Sequence, residues 1–181
     1  MRNRLTLVLL MMACSWLSSC SLINDKQAST QVFYQLQPVP SEWVGQSWLN
    51  QFQFNQQKQM LLALEFNADA FNFALMDLSG VLLAQGRWLN TGQLTVDKSV
   101  PVPIDMQRIL RDIQWMHWPE QSVRQGLNST IKMQNKLQQN GNMQRIFSQN
   151  GRDIVTVTDN LDAILLIHHL DEYQVKVQRL N

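Results

Sequence analysis

Lys58-Gln59-Met60-Leu61-Leu62-Ala63-Leu64-Glu65-Phe66, Asn67-Ala68-Asp69, Ala70-Phe71-Asn72-Phe73-Ala74-Leu75-Met76 and Asp77-Leu78-Ser79-Gly80 follow one another without a break. In an extended chain successive side chains point to opposite faces. Met60, Leu62, Leu64 and Phe66 therefore share one face, and Gln59 and Glu65 share the other. Phe71, Phe73 and Leu75 repeat the alternation. Asn67-Ala68-Asp69 and Asp77-Leu78-Ser79-Gly80 carry turn residues. Two half-buried strands joined and ended in this way predict an antiparallel sheet.

The pattern extends in both directions. Upstream, Trp48 to Asn55 places Trp48, Phe52 and Phe54 in near alternation. Pro38 and Pro40 break the chain before it, and Gln31 to Leu36 reads as a further short strand. Downstream, Val81 to Leu89, a turn at Asn90-Thr91-Gly92 and Gln93 to Asp97 continue the meander. The period then changes. Met106, Ile109, Leu110 and Ile113 stand at i, i+3, i+4 and i+7, an amphipathic helix with Asp105 as its cap and Pro103 before it. Trp115, Met116, His117 and Trp118 finish it. Pro119 stops it or starts a second short helix to about Gln125.

Strands resume after Gly126. Ile131, Met133 and Leu137 predict a half-buried strand, and Asn140-Gly141 is the strongest hairpin signal in the chain. Met143 to Ser148 pairs back, Asn150-Gly151 leads to Asp153 to Thr158, Ala163 to Leu170 is an apolar run, and Tyr173, Val175 and Val177 close the series. The expected fold is mainly β with α: a strongly curved antiparallel sheet, or half-open barrel, with a helical insert covering its concave face. There is no domain linker and no convincing internal repeat.

The N-terminal stretch has a different character. Arg2 and Arg4 precede the apolar run Leu5 to Ala13, and Leu17-Ser18-Ser19-Cys20 closes it. This order reads as a bacterial lipobox. It predicts a signal peptide over residues 1–19 and lipidation of Cys20, whose thiol takes a diacylglycerol and whose new amine takes a further acyl chain. Cys14 is a weaker second candidate. The apolar run is short for a transmembrane span, which needs roughly 20 residues, so the expectation is a chain anchored to the membrane. In enterobacterial-type sorting, Asp after the lipidated cysteine retains a lipoprotein at the inner membrane. Ser21 stands there instead and favours the outer membrane. Residues 20–46 are expected to comprise the lipidated cysteine and a tether, with a single domain over 47–181.

Cleavage before Cys20 leaves 162 of the 181 residues, enough for one sizeable core. Loss of Arg2 and Arg4 leaves 13 basic residues against 14 acidic, a net charge of −1. That balance offers no basic stripe for nucleic acid. Without Cys14 there is no disulfide and no cysteine-based metal site. Six Met and five Trp remain of the nine and six in the whole chain, available as gap fillers or as the lining of an adaptable apolar pocket.

Catalytic signatures are few. There is no Gly-x-Ser-x-Gly elbow, no His-Glu-x-x-His and no phosphate-cradling glycine loop. His168 and His169 are adjacent in a strand, so their rings point to opposite faces and do not converge on a metal. His117 at a helix end is expected to cap carbonyls. Asp69, Asp77, Asp97, Asp159, Asp162 and Asp171 read as turn residues, and Arg87 as a solvated arginine. The chain is expected to have no enzymatic activity, cofactor or metal.

The order of lipobox, five-strand meander, helical insert and second meander resembles LolB, the outer-membrane receptor for lipoproteins, and the general plan of the LolA/LolB fold. The resemblance runs from about Trp48 to Asn181. It rests on Phe73-Ala74-Leu75-Met76-Asp77-Leu78-Ser79-Gly80, Phe147-Ser148-Gln149-Asn150-Gly151 and Tyr173-Gln174-Val175-Lys176-Val177. The turn before Leu78 lacks the proline of that family, and Trp118-Pro119-Glu120 alters its pattern after the helix. The chain is also similar to a proteobacterial lipoprotein family of unknown function encoded beside aryl-polyene or fatty-acid-type gene clusters. The resemblance implies a half-open barrel whose apolar cavity takes acyl chains. Its lining would be Met60, Leu62, Leu64, Phe66, Phe71, Phe73, Ile109, Ile113 and Met116. It further implies an exposed Leu78 that contacts the membrane, a lipid or acylated ligand, and a periplasmic carrier protein as partner. The residues themselves leave open whether this interior is a cavity or a packed core. They equally allow an assembly lipoprotein that binds an envelope protein through a sheet edge or the Trp115 to Trp118 surface.

Overall fold

The computed structural model describes residues 34–98, 105–160 and 162–180. Cys20, the signal segment, Pro103 and the expected strand positions 31–33 lie outside the described residues. Ten strands form one antiparallel sheet. In chain order they are β1 (Ser47–Phe54), β2 (Lys58–Phe66), β3 (Ala70–Met76), β4 (Leu82–Leu89), β5 (Leu94–Lys98), β6 (Ile131–Leu137), β7 (Met143–Gln149), β8 (Arg152–Asn160), β9 (Ala163–His168) and β10 (Tyr173–Arg179). Their spatial order is β5-β4-β3-β2-β1-β10-β9-β8-β7-β6. Two local meanders are thus joined where β1 pairs with β10, with Asn50 opposite Arg179 and Phe52 opposite Val177. The sheet does not close, because β5 and β6 stand at its two ends.

The turns follow from residue chemistry. Asn150 and Gly151 both take positive φ, 52° and 76°, in the two-residue link between β7 and β8. That is the mirror-image turn whose twist suits a hairpin. Asn140-Gly141 was the stronger signal in the sequence, yet it occupies a looser loop closed by Gln138 N–H donating to Asn142 O at 2.9 Å. The turn before β4 is held by Asp77. Its Oδ1 accepts from the Ser79 and Val81 amides, each at 2.9 Å, and from the Ser79 hydroxyl at 2.7 Å.

Between the meanders lie α1 (Met106–His117) and α2 (Glu120–Gly126). Asp105 caps α1, its carboxylate accepting from the Arg108 amide at 3.1 Å. Helix α1 packs against β8 and β9. Its buried face is wider than an i, i+3, i+4 stripe and includes Asp112, Gln114 and Trp115. The segment 34–40 covers that second face. Gln114 Oε1 accepts from the Tyr34 hydroxyl at 2.9 Å and the Gln37 amide at 2.8 Å, and its Nε2 donates to Gln37 O at 2.9 Å. Trp118 Nε1 donates to Pro38 O at 2.9 Å. Gly126 lets this strap approach, since a Cβ there would lie 2.4 Å from Gln35 O. The described residues from Tyr34 onward form one compact unit, and residues 34–40, within the segment expected as a tether, pack against α1 in it.

Some expectations need correction. Tyr34 makes an isolated bridge to Leu127, where a strand over 31–36 was expected. Leu137 is exposed, as is its partner Met143, because that end of the edge hairpin runs past the core. Asp97 and Asp159, expected in turns, are the next-to-last residues of β5 and β8.

Candidate functional site

The inner face of the first meander is one apolar surface. Register places Leu62 beside Leu75, Leu64 beside Phe73 and Phe66 beside Phe71. Trp48 lies opposite Leu64 and Phe52 opposite Met60. Of the expected lining, Leu62, Leu64, Phe66, Phe71, Phe73, Ile113 and Met116 are buried, whereas Met60 and Ile109 are half-buried. The strand residues form one contiguous set. The helix residues lie on an element packed against β8 and β9, in the other half of the sheet. The two halves meet through aromatic rings. Trp118 makes edge contacts with Trp43, Phe66 and Phe71, at centroid distances of 4.8, 5.9 and 6.0 Å. Trp48 meets His117 at 5.4 Å and Phe66 at 4.6 Å.

His117 does not cap carbonyls. Its ring is packed beside Trp48, and its Nε2 is buried without a hydrogen-bond partner among the described residues. Arg145, from β7, caps the end of α1 instead, donating to Trp115 O at 2.7 Å and Trp118 O at 3.1 Å. Burial, reinforced by the Arg179 and Arg145 charges, holds the His117 pKa down at about 4. The imidazole is neutral at pH 7.

A polar network pins α1 to the second meander. The Asp112 carboxylate accepts two bonds from Arg111, at 2.9 and 3.1 Å, and one from the Tyr173 hydroxyl at 2.6 Å. Burial pushes Asp112 upward in pKa, while Arg111, the Tyr173 hydrogen bond and the Arg108 charge oppose that shift. Arg108 donates to Asp171 at 2.9 Å and lies 4.0 Å over the Tyr173 ring. His168 stacks on Tyr173 at 4.9 Å, and its Nδ1 accepts from the Asp171 amide at 3.1 Å. That bond requires an unprotonated Nδ1, and burial lowers the His168 pKa to about 4. His169 points to the other face, its Nε2 2.9 Å from the Thr156 hydroxyl. No three His, Cys, Asp or Glu side chains among the described residues are grouped to hold a metal.

The sheet also carries an open hollow of about 760 Å³ on the first meander. It is lined by three consecutive residues from each of β1 to β5. Three complete cross-strand rows line it, the middle one being Trp48, Leu64, Phe73, Gly86 and Val96. The flanking rows are Ser47, Glu65, Asn72, Arg87 and Thr95, and Leu49, Ala63, Ala74, Gln85 and Asp97. By alternation these point away from the apolar face. Glu65 accepts from Asn72 at 3.0 Å, and Arg87 pairs with Asp69 at 3.1 Å in an exposed ion pair. Of the expected lining, the hollow takes in Leu64 and Phe73, and its flanking rows add polar side chains beside them.

Leu78 stands at the Asp77 turn, 55 % exposed, with Val81 beside it at 53 %. Among the described residues no helix is long and apolar enough to cross a membrane. Sequence reasoning missed Asn50, which lies between Trp48 and Phe52 on the inner face and is fully buried. Its signal was legible as the one polar residue at an inward position of that strand.

These features define a class: a mainly β protein built as one open antiparallel sheet with an apolar inner face and a strapped helical insert. Residues 45–181 match the family described as "Protein of unknown function (DUF3261)", and the chain belongs to it. No curated protein matches the chain.

Proposed function

We propose that this protein is an outer-membrane-anchored lipoprotein, attached through Cys20. On this reading it binds an acylated or other hydrophobic ligand and assists its transfer or insertion at the outer membrane. The observation that carries the reading is the contiguous apolar set Leu62, Leu64, Phe66, Phe71, Phe73 and Leu75 on a sheet left open at both ends. The lipobox and the LolA/LolB resemblance support it. Burial of a methylene contributes about 0.8 kcal/mol, much the same in a protein interior as in a bilayer. Handover between the two is therefore nearly balanced and needs no bond chemistry. Exposed Leu78 would bring the protein to the acceptor surface, and a periplasmic carrier would supply the cargo.

The test is to purify the chain from Ser21 onward as a soluble protein and extract what accompanies it, with native mass spectrometry to count it. A stoichiometric acyl ligand is expected, lost in a Leu64→Glu variant that keeps its β-sheet circular dichroism. A second reading, an assembly lipoprotein with a packed core that binds an envelope protein, is favoured by the near-complete burial of the same side chains. A ligand-free protein that also binds no apolar dye would transfer the case to it.

A further inference from the structure

Trp48, Asn50, His117 and Arg179 lie at the junction of the two meanders, with His117 and Arg179 both against the Trp48 ring. Trp48 is buried on β1. Asn50, two residues on and on the same face, is fully buried, and among the described residues neither its Oδ1 nor its Nδ2 has a hydrogen-bond partner. A buried carboxamide left unpaired costs about 1–3 kcal/mol, so such a group is retained where something else completes it. Asn50 lies directly opposite Arg179 in the β1–β10 ladder. The Arg179 guanidinium sits 3.7 Å over the Trp48 ring. No carboxylate approaches it within 4 Å among the described residues. On its other contacts the same ring meets His117, whose Nε2 is buried and unpartnered among the described residues. A polar path thus runs from exposed Arg179 at the rim to Asn50 inside, and Leu62, opposite Asn50 on β2, begins the apolar set.

Resting on the proposed function, we infer that Asn50, His117 and Arg179 form the headgroup end of the interior. They receive the anionic oxygens of a single-chain amphiphile whose tail runs along Leu62, Leu64 and Phe73. The guanidinium fork matches carboxylate or phosphate oxygens in two parallel hydrogen bonds. The Asn50 amide and the His117 Nε2, in the tautomer that carries its proton, supply further donors. The unpaired polar atoms would then find their partners on the ligand.

The experiment uses the full-length protein in phosphatidylcholine nanodiscs. It is photolabelled with a diazirine-bearing palmitic acid or with the methyl ester of the same probe, and the labelled peptides are mapped by mass spectrometry. The acid is expected to label the peptides carrying Leu62, Leu64 and Phe73 about tenfold more than the ester. Arg179→Gln and Asn50→Leu are each expected to reduce that ratio below about threefold. Arg179 is exposed, so its variant keeps the test decisive if Asn50→Leu does not fold. Competition by unlabelled palmitate or by lysophosphatidate supports the site in either case, and the stronger competitor identifies the head as carboxylate or phosphate. Equal interior labelling by acid and ester, or a ratio unchanged in both variants, would overturn the headgroup site while leaving apolar binding intact. No interior labelling by either probe would overturn both readings.

Discussion

Lowering the pH from 7.5 to 5.5 is expected to cost the domain about 3 kcal/mol through two histidines. His168 is buried and His117 is half-buried with its Nε2 out of solvent, and both titrate at about 4 in the folded protein against 6.5 for the ordinary group. Between those values the unfolded chain binds protons that the folded chain refuses, so stability falls as the pH falls. Each histidine contributes about 1.4 kcal/mol of loss by pH 5.5 and about 3 kcal/mol by pH 4, at 1.36 kcal/mol per pH unit. The sum at pH 4 is a large fraction of the roughly 5–15 kcal/mol that holds a domain together. Urea unfolding followed by tryptophan fluorescence at half-unit pH steps measures the slope directly. The double variant His117→Gln, His168→Gln should flatten the curve between pH 6.5 and 5, whatever it does to stability at pH 7.5. A double variant with the wild-type slope would refute the assignment.

Other perturbations have equally definite outcomes. Gly86→Ala would place a Cβ 2.1 Å from Thr95 O and 2.5 Å from the Phe73 ring. It should destabilise the domain by at least about 1–3 kcal/mol, read as a lower urea midpoint, and an unchanged midpoint would contradict that packing. Tyr173→Phe removes the hydroxyl that donates to Asp112 and accepts from Arg111. About 1.5–3 kcal/mol should be lost, whereas a loss under about 0.5 kcal/mol would mean that the network contributes little. Leu78→Asp, at an exposed turn, should leave the urea midpoint within about 0.5 kcal/mol of wild type. On the proposed function it should weaken vesicle association of the chain lacking its lipid, measured by flotation, and equal flotation would remove Leu78 from the membrane contact.

The sheet was legible because strand alternation is strict. Met60 to Phe66 and Phe71 to Leu75 could be assigned to one face from spacing alone, and the register confirms it. The cap at Asp105 followed from capping chemistry, and Pro119 marked the break at which α1 ends and α2 begins. What spacing could not show was anything set by distant partners. Gln114 is buried because the strap from Tyr34 to Pro40 satisfies its amide, and nothing near Gln114 in the chain announces that. The end of α1 is capped by Arg145 from a strand about 30 residues on, so His117, though correctly positioned for the role, is left to pack on Trp48. Asn50 could be flagged as an inward polar residue. Its pairing with Arg179 depends on the one long-range ladder in the sheet.

That ladder has a consequence for how the protein is made. Every other strand pairing joins neighbours in the chain, so β1 to β5 and β6 to β10 can each zip up from their own hairpins. The single seam between β1 and β10 brings together Asn50 and Arg179, near opposite ends of the domain sequence. Closing so long a loop carries an entropic cost that local hairpins avoid. Until the last strand has emerged, the first meander keeps β1 as a bare edge, and such edges invite pairing with other chains. Completion of the seam is therefore expected to be the late step of folding, seen in pulsed hydrogen exchange as protection of β1 and β10 after the outer hairpins. A chain shortened before Tyr173 should aggregate through β1 even with the first meander entire.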